Sequence, residues 1–340
     1  MILAGGLSTR LYPLTKLVPK PLVPVAGVPN AAHLMRYLKA YGFDEIAINV
    51  HYLADRIVAA LGDGSAFGVK LHYSHEPELL GSAGGVKKIE RFFGGENFLV
   101  IGCDEVTDLR LDELLAFHAQ REAIATIGLV ECEEVDQYGV VVLDGRGKIV
   151  DFQEKPAKGT ERSRLANTGV YVFSPAIFEH IPAAEFYDFG KQVFPSLQGA
   201  AAPFYGFDAG GAYWADIGTP NEYRRASYDV VRGVVQIPQT RPNGVDASAS
   251  FGEGVRIDGP VRIGANVRVG DGASIVGPSV LDDGVRVGPG ARLERTIVWE
   301  GATIGARAEL RDTVVGNDAS VEDEAVLDHL LVAREWGDSS

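Results

Sequence analysis

Basic residues follow a pair of glycines close to the start of the chain. Gly5 and Gly6 end a short apolar run, and Arg10, Lys16 and Lys20 come soon after them. A strand that ends in glycines exposes backbone N–H groups, and such concave backbone binds anions. The prolines on both sides of Lys20 restrict the backbone there and disfavour a helix. We therefore expect a rigid loop that presents its cationic groups to phosphate.

Two further features of the first half could bind a ligand. Asp104 comes directly after a buried apolar run, and a carboxylate at the end of a strand can bind Mg²⁺ together with phosphate oxygens and water. The stretch 75–85 contains several glycines at the predicted start of a helix, which is typical of a loop that binds a ligand. Cys103 and Cys132 have no histidine near them in the sequence, and we interpret them as small core residues rather than nucleophiles.

Strands and helices must position these residues. Strands are expected at 45–50, at 70–75, from residue 97 to just before Asp104, and at 123–131; helices are expected at 31–41, 53–61 and 111–121. A hairpin is expected around Gly145–Gly147. Apolar strands that alternate with helices predict a parallel sheet with helices on both faces. In such a sheet, ligands bind at the carboxyl ends of the strands.

Apolar residues recur at every sixth position in the last third of the chain. The series is Val245, Phe251, Ile257, Ile263, Val269, Ile275, Leu281, Val287, Leu293 and Trp299, and it continues after a slip of one residue at Ile304. This period predicts a left-handed parallel β-helix of about five coils over residues 245–332. Residues 233–244 would be a linker and 333–340 a tail, with a cap within 327–336. Many such domains are acyltransferases that use a histidine, but this repeat holds only His329. We therefore interpret it as a domain for assembly or stabilisation.

Composition and charge narrow the class of protein. The chain has 340 residues, enough for two domains of ordinary size, and a net charge of -14. Such a charge argues against nucleic acid or an anionic membrane as the main partner. Two cysteines do not make a secreted disulfide framework, so we expect the reducing cytoplasm. No apolar run approaches the roughly 20 residues of a membrane span, and the N-terminus lacks the pattern of a signal peptide.

As a set, these segments resemble the sugar nucleotidyltransferases, also called NDP-sugar pyrophosphorylases. GGLSTRLYPLT (5–15) and PKP (19–21) are similar to the family's GG-x-G-T-R-L-x-P-L-T and P-K-P, with Ser8 where glycine is usual. GCDEVTDL (102–109) resembles N-G-D-x-x-T-D-L, with Gly102 and Cys103 in place of Asn and Gly. FQEKP (152–156), ANTGVYVFSP (166–175) and YWADIGTP (213–220) resemble three further segments. The resemblance implies a Rossmann-like mixed-sheet nucleotidyltransferase domain at 1–232, followed by the left-handed parallel β-helix.

The activity that the resemblance implies is nucleotidyl transfer from a nucleoside triphosphate to a sugar 1-phosphate, with Mg²⁺ as cofactor. Its motif positions imply the following site residues: Arg10, Lys20 and Lys155 as catalytic; Ala4, Gly5, Gly6, Glu76, Gly81 and Ser82 for the nucleotide; Gly139, Glu154, Asn167 and Gly169 for the sugar; and Asp104 and Asp216 for the metal. Asp188 lies in a segment similar to one in mannose-type members, and we interpret it as a helix cap.

The expected substrates depend on one loop. EPELLGSAGG (76–85) resembles the E-x-x-x-L-G-T-A-G segment of the guanylyltransferases in the family. A carboxylate accepts two N–H groups of guanine, whereas an amide matches the donor and acceptor face of uracil or thymine. Glu76 is the first candidate and Glu78 the second, so GTP with mannose 1-phosphate is our first choice. The alternatives are dTTP or UTP with glucose 1-phosphate, another hexose or cyclitol phosphate, and a catalytically silent regulatory homologue. A homo-oligomer is expected.

Overall fold

The computed structural model describes residues 1–235 and 243–334. Within these ranges the chain forms two compact units. The first unit contains Met1–Leu7 and Leu34–Ala215, and the second contains Ser8–His33 and the described residues from Asp216 onward. The linker, cap and tail lie partly outside the described residues, and the domain boundaries stay predictions. Among the described residues, no helix has the length and apolar character needed to cross a membrane.

Six α-helices are defined in the described ranges. They are α1 (Asn30–Ala40), α2 (Ala54–Leu61), α3 (Gly81–Lys88), α4 (Leu111–Gln120), α5 (Phe194–Gly199) and α6 (Pro220–Arg232). The predicted helices at 31–41, 53–61 and 111–121 correspond to α1, α2 and α4 within one residue at each end. Helix α1 and the strand Trp214–Asp216 both carry the chain from one unit to the other.

A nine-stranded mixed sheet forms the centre of the first unit. Seven strands follow one another in the order Ile149–Glu154, Gly139–Leu143, Leu165–Phe173, Phe98–Gly102, Ile2–Leu3, Glu45–Val50 and Lys70–His75. The strand Ala125–Glu131 pairs with Leu165–Phe173 and also with Phe204–Asp208. The strands at 45–50 and 70–75 are confirmed, but the sheet is not wholly parallel because Leu165–Phe173 runs antiparallel beside Phe98–Gly102.

The register of the central strands brings several chain segments to one edge of the sheet. Ile2–Leu3 lies between Glu45–Val50 and Phe98–Gly102 and is parallel to both. Leu3 is level with Asn49 on one side and with Gly102 on the other. The carboxyl ends of these strands therefore place the Gly5–Gly6 turn, the end of the second strand and Asp104 along the same edge. This is the edge where ligands bind in open α/β sheets.

The repeat in the second unit is a left-handed parallel β-helix with three sheets. In the described part of the chain these sheets contain six, five and five strands. The strands of the first sheet are Gly244–Val245, Val261–Ile263, Ser279–Leu281, Ile297–Val298, Val314–Val315 and Leu331–Val332. The second contains Ser250–Phe251, Arg268–Val269, Arg286–Val287, Thr303–Ile304 and Ser320–Val321, and the third contains Arg256–Asp258, Ser274–Val276, Arg292–Glu294, Glu309–Arg311 and Val326–Asp328. Five coils agree with the prediction.

The position of the slip in the repeat differs from the prediction. Leu281 is level with Val298, not with Trp299, so the shift by one residue has already occurred before Trp299. Val298 joins the apolar core inside the coils. The indole of Trp299 is also buried, but it packs edge-on against Tyr223 of α6, with 6.1 Å between ring centroids. The prediction of Trp299 as an inward repeat residue was wrong. The coil before it is one residue shorter, so the inward position falls on Val298 and not on the residue that the six-residue period gives.

Candidate active site

The amide of Asn49 organises the glycine turn after the first strand. Asn49 Oδ1 accepts a hydrogen bond from Ala4 N over 2.8 Å. A Cβ atom at Gly5 would lie 2.8 Å from Asn49 Nδ2, so only glycine fits at this position. A Cβ at Gly6 would meet no atom within 4 Å among the described residues. The predicted nucleotide contacts of these residues stay predictions. Asn49 was missed by the sequence analysis, although a polar residue at the end of a buried strand was a usable signal.

Glu76 is buried rather than exposed on a surface loop. Its side chain is 3% exposed, and Oε1 accepts a hydrogen bond from Asn49 Nδ2 over 2.9 Å while Oε2 accepts one from Leu80 N over 3.2 Å. A Cβ at Gly85 would lie 2.6 Å from Oε1. Each carboxylate oxygen retains a second lone pair, because an ionised carboxylate has about four acceptor sites. Selection of the base by Glu76 stays a prediction, and Glu78 is exposed.

The start of α3 is held by Asp188. Gly81 has a φ of +72°, and a Cβ there would lie 2.5 Å from Tyr187 O. Ser82 Oγ donates to Asp188 Oδ2 over 2.8 Å and accepts from Phe189 N over 2.9 Å. Asp188 also accepts from Lys191 N at the start of the following helical turn, which confirms its interpretation as a cap. Nucleotide contacts of Gly81 and Ser82 stay predictions.

A buried glutamate lies beside Asp104. Asp104 is half-buried directly after the strand Phe98–Gly102, as predicted. Glu105 is 6% exposed, and its Oε2 accepts a hydrogen bond from Trp214 Nε1 over 2.6 Å. A Cβ at Gly102 would lie 2.9 Å from Glu105 Oε1, so this carboxylate lies where a side chain at position 102 would begin. Glu105 was missed because its burial depends on segments that are distant in sequence.

The predicted sugar residues contact one another through backbone and side chain. Asn167 Oδ1 accepts from Gly169 N over 3.0 Å, and Asn167 Nδ2 donates to Tyr171 Oη over 3.1 Å. Gly169 has a φ of +73°, and a Cβ there would lie 2.3 Å from Glu105 Oε1. At Gly139, a Cβ would lie 3.0 Å from the ring of Phe152. The arrangement leaves no space for side chains at the two glycines, and contact with a sugar stays a prediction.

Glu154 and Lys155 end the strand Ile149–Glu154 with a sharp change of backbone direction. Lys155 has a φ of +45°, and its N–H donates to Tyr138 O over 3.1 Å. Both residues are exposed, and their contacts with the sugar and its phosphate stay predictions. Loss of hydration at the carboxyl group raises the pKa of Glu154 above its usual value, and Asp188 raises it further while Lys155 and Lys191 lower it.

In the second unit, Asp216 lies between two cations of the basic loop, which is the segment of residues 8–29. Lys20 Nζ is 3.7 Å from Asp216 Oδ1, and Arg10 Nη2 is 3.7 Å from Asp216 Oδ2. The Lys20 side chain is 12% exposed, whereas that of Arg10 is 50% exposed. A Cβ at Gly218 would lie 2.5 Å from Arg10 Nη2, so this glycine gives the guanidinium room to reach Asp216. Gly218 was missed, although the sequence DIGTP was a usable signal.

The conformation of the basic loop explains two details of its sequence. Ser8, where the family pattern has glycine, has a φ of +55°, a backbone region that glycine adopts most easily. Lys20 begins a single 3₁₀ turn, Lys20–Leu22, so the prolines that were expected to disfavour a helix still permit this one turn. Pro21 is compatible with the turn because proline fits the first positions of a helix.

The donor chemistry at the two predicted metal positions fits Mg²⁺. Asp104 and Asp216 are half-buried carboxylates, and hard cations prefer such oxygen ligands. Asp104 belongs to the first unit and Asp216 to the second, and their joint binding of one ion stays a prediction.

Comparisons with known proteins find similar sequences and a similar fold. A family profile described as nucleotidyl transferase matches residues 1–233, and a profile described as GMPPB C-terminal domain matches residues 240–335. A UTP–glucose-1-phosphate uridylyltransferase of Synechocystis is 40% identical over 289 residues, which are 78% of this chain and 73% of that protein. A mannose-1-phosphate guanylyltransferase of Mycobacterium tuberculosis is 33% identical over 243 residues, which are 71% of this chain and 67% of that protein. The crystal structure of a candidate glucose-1-phosphate thymidylyltransferase from Bacillus anthracis, in complex with sucrose, is similar in fold, with a TM-score of 0.62 and 24% sequence identity. The similar part covers 70% of this chain and 96% of that chain, which supports the fold.

Proposed function

Since the chain belongs to the nucleotidyl transferase family and to its sugar-1-phosphate branch, we propose that it transfers a nucleotidyl group from GTP to mannose 1-phosphate. The observation that carries the proposal is the pair of cations, Lys20 and Arg10, each 3.7 Å from the Asp216 carboxylate. Such a cluster is suited to bind a substrate rich in negative charge beside the Asp216 carboxylate.

The reaction needs little covalent chemistry from the protein. An oxygen of the sugar phosphate attacks the α-phosphorus of the triphosphate, a new P–O bond forms, and the bond to the β-phosphate breaks to release pyrophosphate. The nucleophile is already anionic, so no general base is required. Catalysis then consists of positioning and charge neutralisation, as in other phosphoryl transfers.

Each predicted residue has a distinct role in this proposal. Arg10 and Lys20 neutralise the triphosphate and the leaving pyrophosphate, and Lys155 holds the attacking phosphate. Asp104 and Asp216 are the ligands for Mg²⁺, which would neutralise phosphate charge when bound. Backbone at Ala4, Gly5 and Gly6, with Glu76, Gly81 and Ser82, would contact the nucleotide; Gly139, Glu154, Asn167 and Gly169 would contact the sugar.

Several observations bear on the choice of substrates. The carboxylate at Glu76 and the match to the GMPPB C-terminal domain favour GTP and mannose 1-phosphate. The 40% identity to a UTP–glucose-1-phosphate uridylyltransferase favours UTP and glucose 1-phosphate as the second candidate, with dTTP beside UTP. Gly102 and Cys103 differ from the family pattern, and this difference keeps another hexose or a cyclitol phosphate as a third candidate. A silent regulatory homologue is disfavoured because Arg10, Lys20, Asp104 and Asp216 are all present.

The test is pyrophosphate release by the full chain with Mg²⁺, crossing GTP, UTP, dTTP, ATP and CTP with mannose, glucose and other hexose 1-phosphates. Productive turnover with GTP and mannose 1-phosphate would confirm the proposal, whereas preference for UTP or dTTP would overturn the assignment of Glu76. No turnover across the grid would overturn the proposed substrates in favour of a rarer acceptor, such as a cyclitol phosphate, or of a regulatory role. Cytoplasmic location and homo-oligomer formation are part of the same proposal, and the oligomer is measurable by light scattering.

A further inference from the structure

A buried chain of hydrogen bonds joins the β-helix to the basic loop within the second unit. Trp299 Nε1 donates to Tyr223 Oη over 2.7 Å, and Tyr223 Oη donates to Pro24 O over 2.7 Å. Trp299 is 1% exposed and Tyr223 is fully buried. Trp299 comes from a coil of the β-helix, Tyr223 from α6 and Pro24 from the loop that contains Lys20. One hydroxyl group therefore connects three segments that are far apart in sequence.

The tip of the same loop has a second buried contact with the β-helix. Gly27 turns between the two-residue strands Pro24–Val25 and Val28–Pro29 with a φ of +73°. A Cβ at Gly27 would lie 2.5 Å from Asp282 Oδ1 and 2.7 Å from Arg262 Cζ. Both residues belong to the β-helix, and their side chains are 8% and 2% exposed. The loop tip thus rests directly on a buried ion pair.

The position of Tyr223 relates it to both members of the Lys20–Asp216 pair. The turn that begins at Lys20 ends with Val23 N donating to Lys20 O over 3.1 Å, so Pro24 follows it without an intervening flexible segment. On the other side, α6 begins at Pro220, shortly after Asp216 in the chain, and Tyr223 lies in its first turn. A shift of the Tyr223 side chain would therefore displace the backbone that follows Lys20 and the backbone that follows Asp216.

From this geometry we infer that Tyr223, held by Trp299, is a positioning residue for catalysis, so that the β-helix sets the place of Lys20 against Asp216 and does not serve assembly alone. The inference rests on the proposed function of Lys20. Removing the hydroxyl would leave Trp299 Nε1 and Pro24 O buried without this partner, a state that costs their full desolvation. The loop would relax to recover these bonds, and small displacements of a catalytic group lower turnover strongly.

Helix α6 offers a matched control. Tyr228 lies on the same helix, and its hydroxyl donates to Arg295 O of the β-helix. Tyr228 is also buried, at 7% exposure. Its hydrogen bond therefore joins α6 to the β-helix in the same way, but within residues 1–235 and 243–334 it is not continued to the basic loop. Tyr228→Phe should cost a similar amount of stability without moving Lys20.

The experiment compares Tyr223→Phe, Trp299→Phe and Tyr228→Phe in the full chain, with the substrate pair that the grid identifies. Tyr223→Phe and Trp299→Phe should each lower kcat by about tenfold to a hundredfold, with the KM of the sugar 1-phosphate changed less than about twofold. The double variant should lose little more than either single variant, because both changes break one connected unit. Tyr228→Phe should keep kcat within about twofold at a comparable loss of thermal stability.

Hydrogen–deuterium exchange of residues 10–22 gives a readout that does not need activity. Exchange should rise in Tyr223→Phe and Trp299→Phe and stay unchanged in Tyr228→Phe. Unchanged exchange in Tyr223→Phe, or a kcat no lower than that of Tyr228→Phe, would overturn the inference. A wild-type protein without turnover on the whole grid would overturn the proposed function and the catalytic half of this inference, while the exchange data would still decide whether Tyr223 holds the loop.

Discussion

Asn49 Nδ2 donates a hydrogen bond to Glu76 Oε1 over 2.9 Å, while Asn49 Oδ1 accepts from Ala4 N at the start of the glycine turn. The residue expected to choose the base is thereby linked to the backbone expected to contact the nucleotide. This relationship makes the role of Glu76 testable, because a change of its charge should alter base preference and local stability together.

Glu76→Gln should lower kcat/KM for GTP by about tenfold or more relative to UTP or dTTP, because an amide offers one acceptor and one donor where guanine needs two acceptors. The variant also loses some stability, since the amide cannot accept from Asn49 and Leu80 with both of its heavy atoms. The ratio of kcat/KM between nucleotides is therefore the quantity to measure. Glu78→Gln serves as the control, and an unchanged ratio in Glu76→Gln would contradict the assignment.

Lys20→Ala should lower kcat on the order of a hundredfold or more, because it removes a positioned charge that would stabilise the transferring phosphates. Lys16→Ala is the matched control, as Lys16 lies in the same loop but is exposed near the ring of Tyr12. Steady-state kinetics with saturating substrates measure both. Equal losses in the two variants would show that only the overall positive charge of the loop matters.

Chelation of divalent cations should abolish turnover, and added Mg²⁺ should restore it. Asp104→Asn and Asp216→Asn should each raise the Mg²⁺ concentration needed for half-maximal rate and lower kcat, because an amide oxygen is a weaker ligand than a carboxylate. Asp112→Asn, at an exposed carboxylate paired with Arg110, is the control. A wild-type Mg²⁺ titration in Asp104→Asn would remove Asp104 from the metal site.

Lys155→Ala should raise the KM of the sugar 1-phosphate with a smaller effect on the KM of the nucleotide, because its proposed partner is the attacking phosphate. Lys155 is exposed and has a left-handed backbone conformation directly after the strand Ile149–Glu154. Lys158→Ala, a nearby exposed lysine, controls for charge. If Lys155→Ala raises the KM of the sugar 1-phosphate and the KM of the nucleotide equally, Lys155 contributes only to the overall positive potential around the substrates.

Stability should fall in mild acid because of His118. Burial lowers the pKa of this histidine from 6.5 to about 4, and its Nδ1 lies 2.8 Å from Thr126 Oγ1. The folded state therefore binds the proton less readily than the unfolded state, so the stabilisation is complete above pH 6.5 and is lost as the pH falls towards 4. The loss should be roughly 1 to 3 kcal/mol.

The measurement for His118 is the free energy of unfolding by denaturant at several values of pH between 7 and 4. His118→Gln should be less stable at neutral pH, because it loses a well-packed ring, and its curve should fall less steeply with acid. Parallel curves for the two proteins would exclude His118 as the source of the acid sensitivity.

Local patterns along the chain were enough to predict the features that need no distant partner. The six-residue period predicted the β-helix, because each coil must bury one apolar residue per side whatever its distant neighbours are. The runs at 45–50 and 70–75 predicted their strands to the residue, because the residue types that favour a short strand are present in the local sequence itself. Asp188 was recognised as a cap for the same reason.

Contacts between residues that are distant in the sequence could not be predicted and became visible in the folded chain. The burial of Glu76 depends on Asn49 in a neighbouring strand, and that of Glu105 depends on Trp214 across the unit. Trp299 looks like one more member of the repeat until a shortened coil turns it towards Tyr223. These contacts follow from how separate elements pack, and a residue's period along the chain carries no information about a partner that lies scores of positions away.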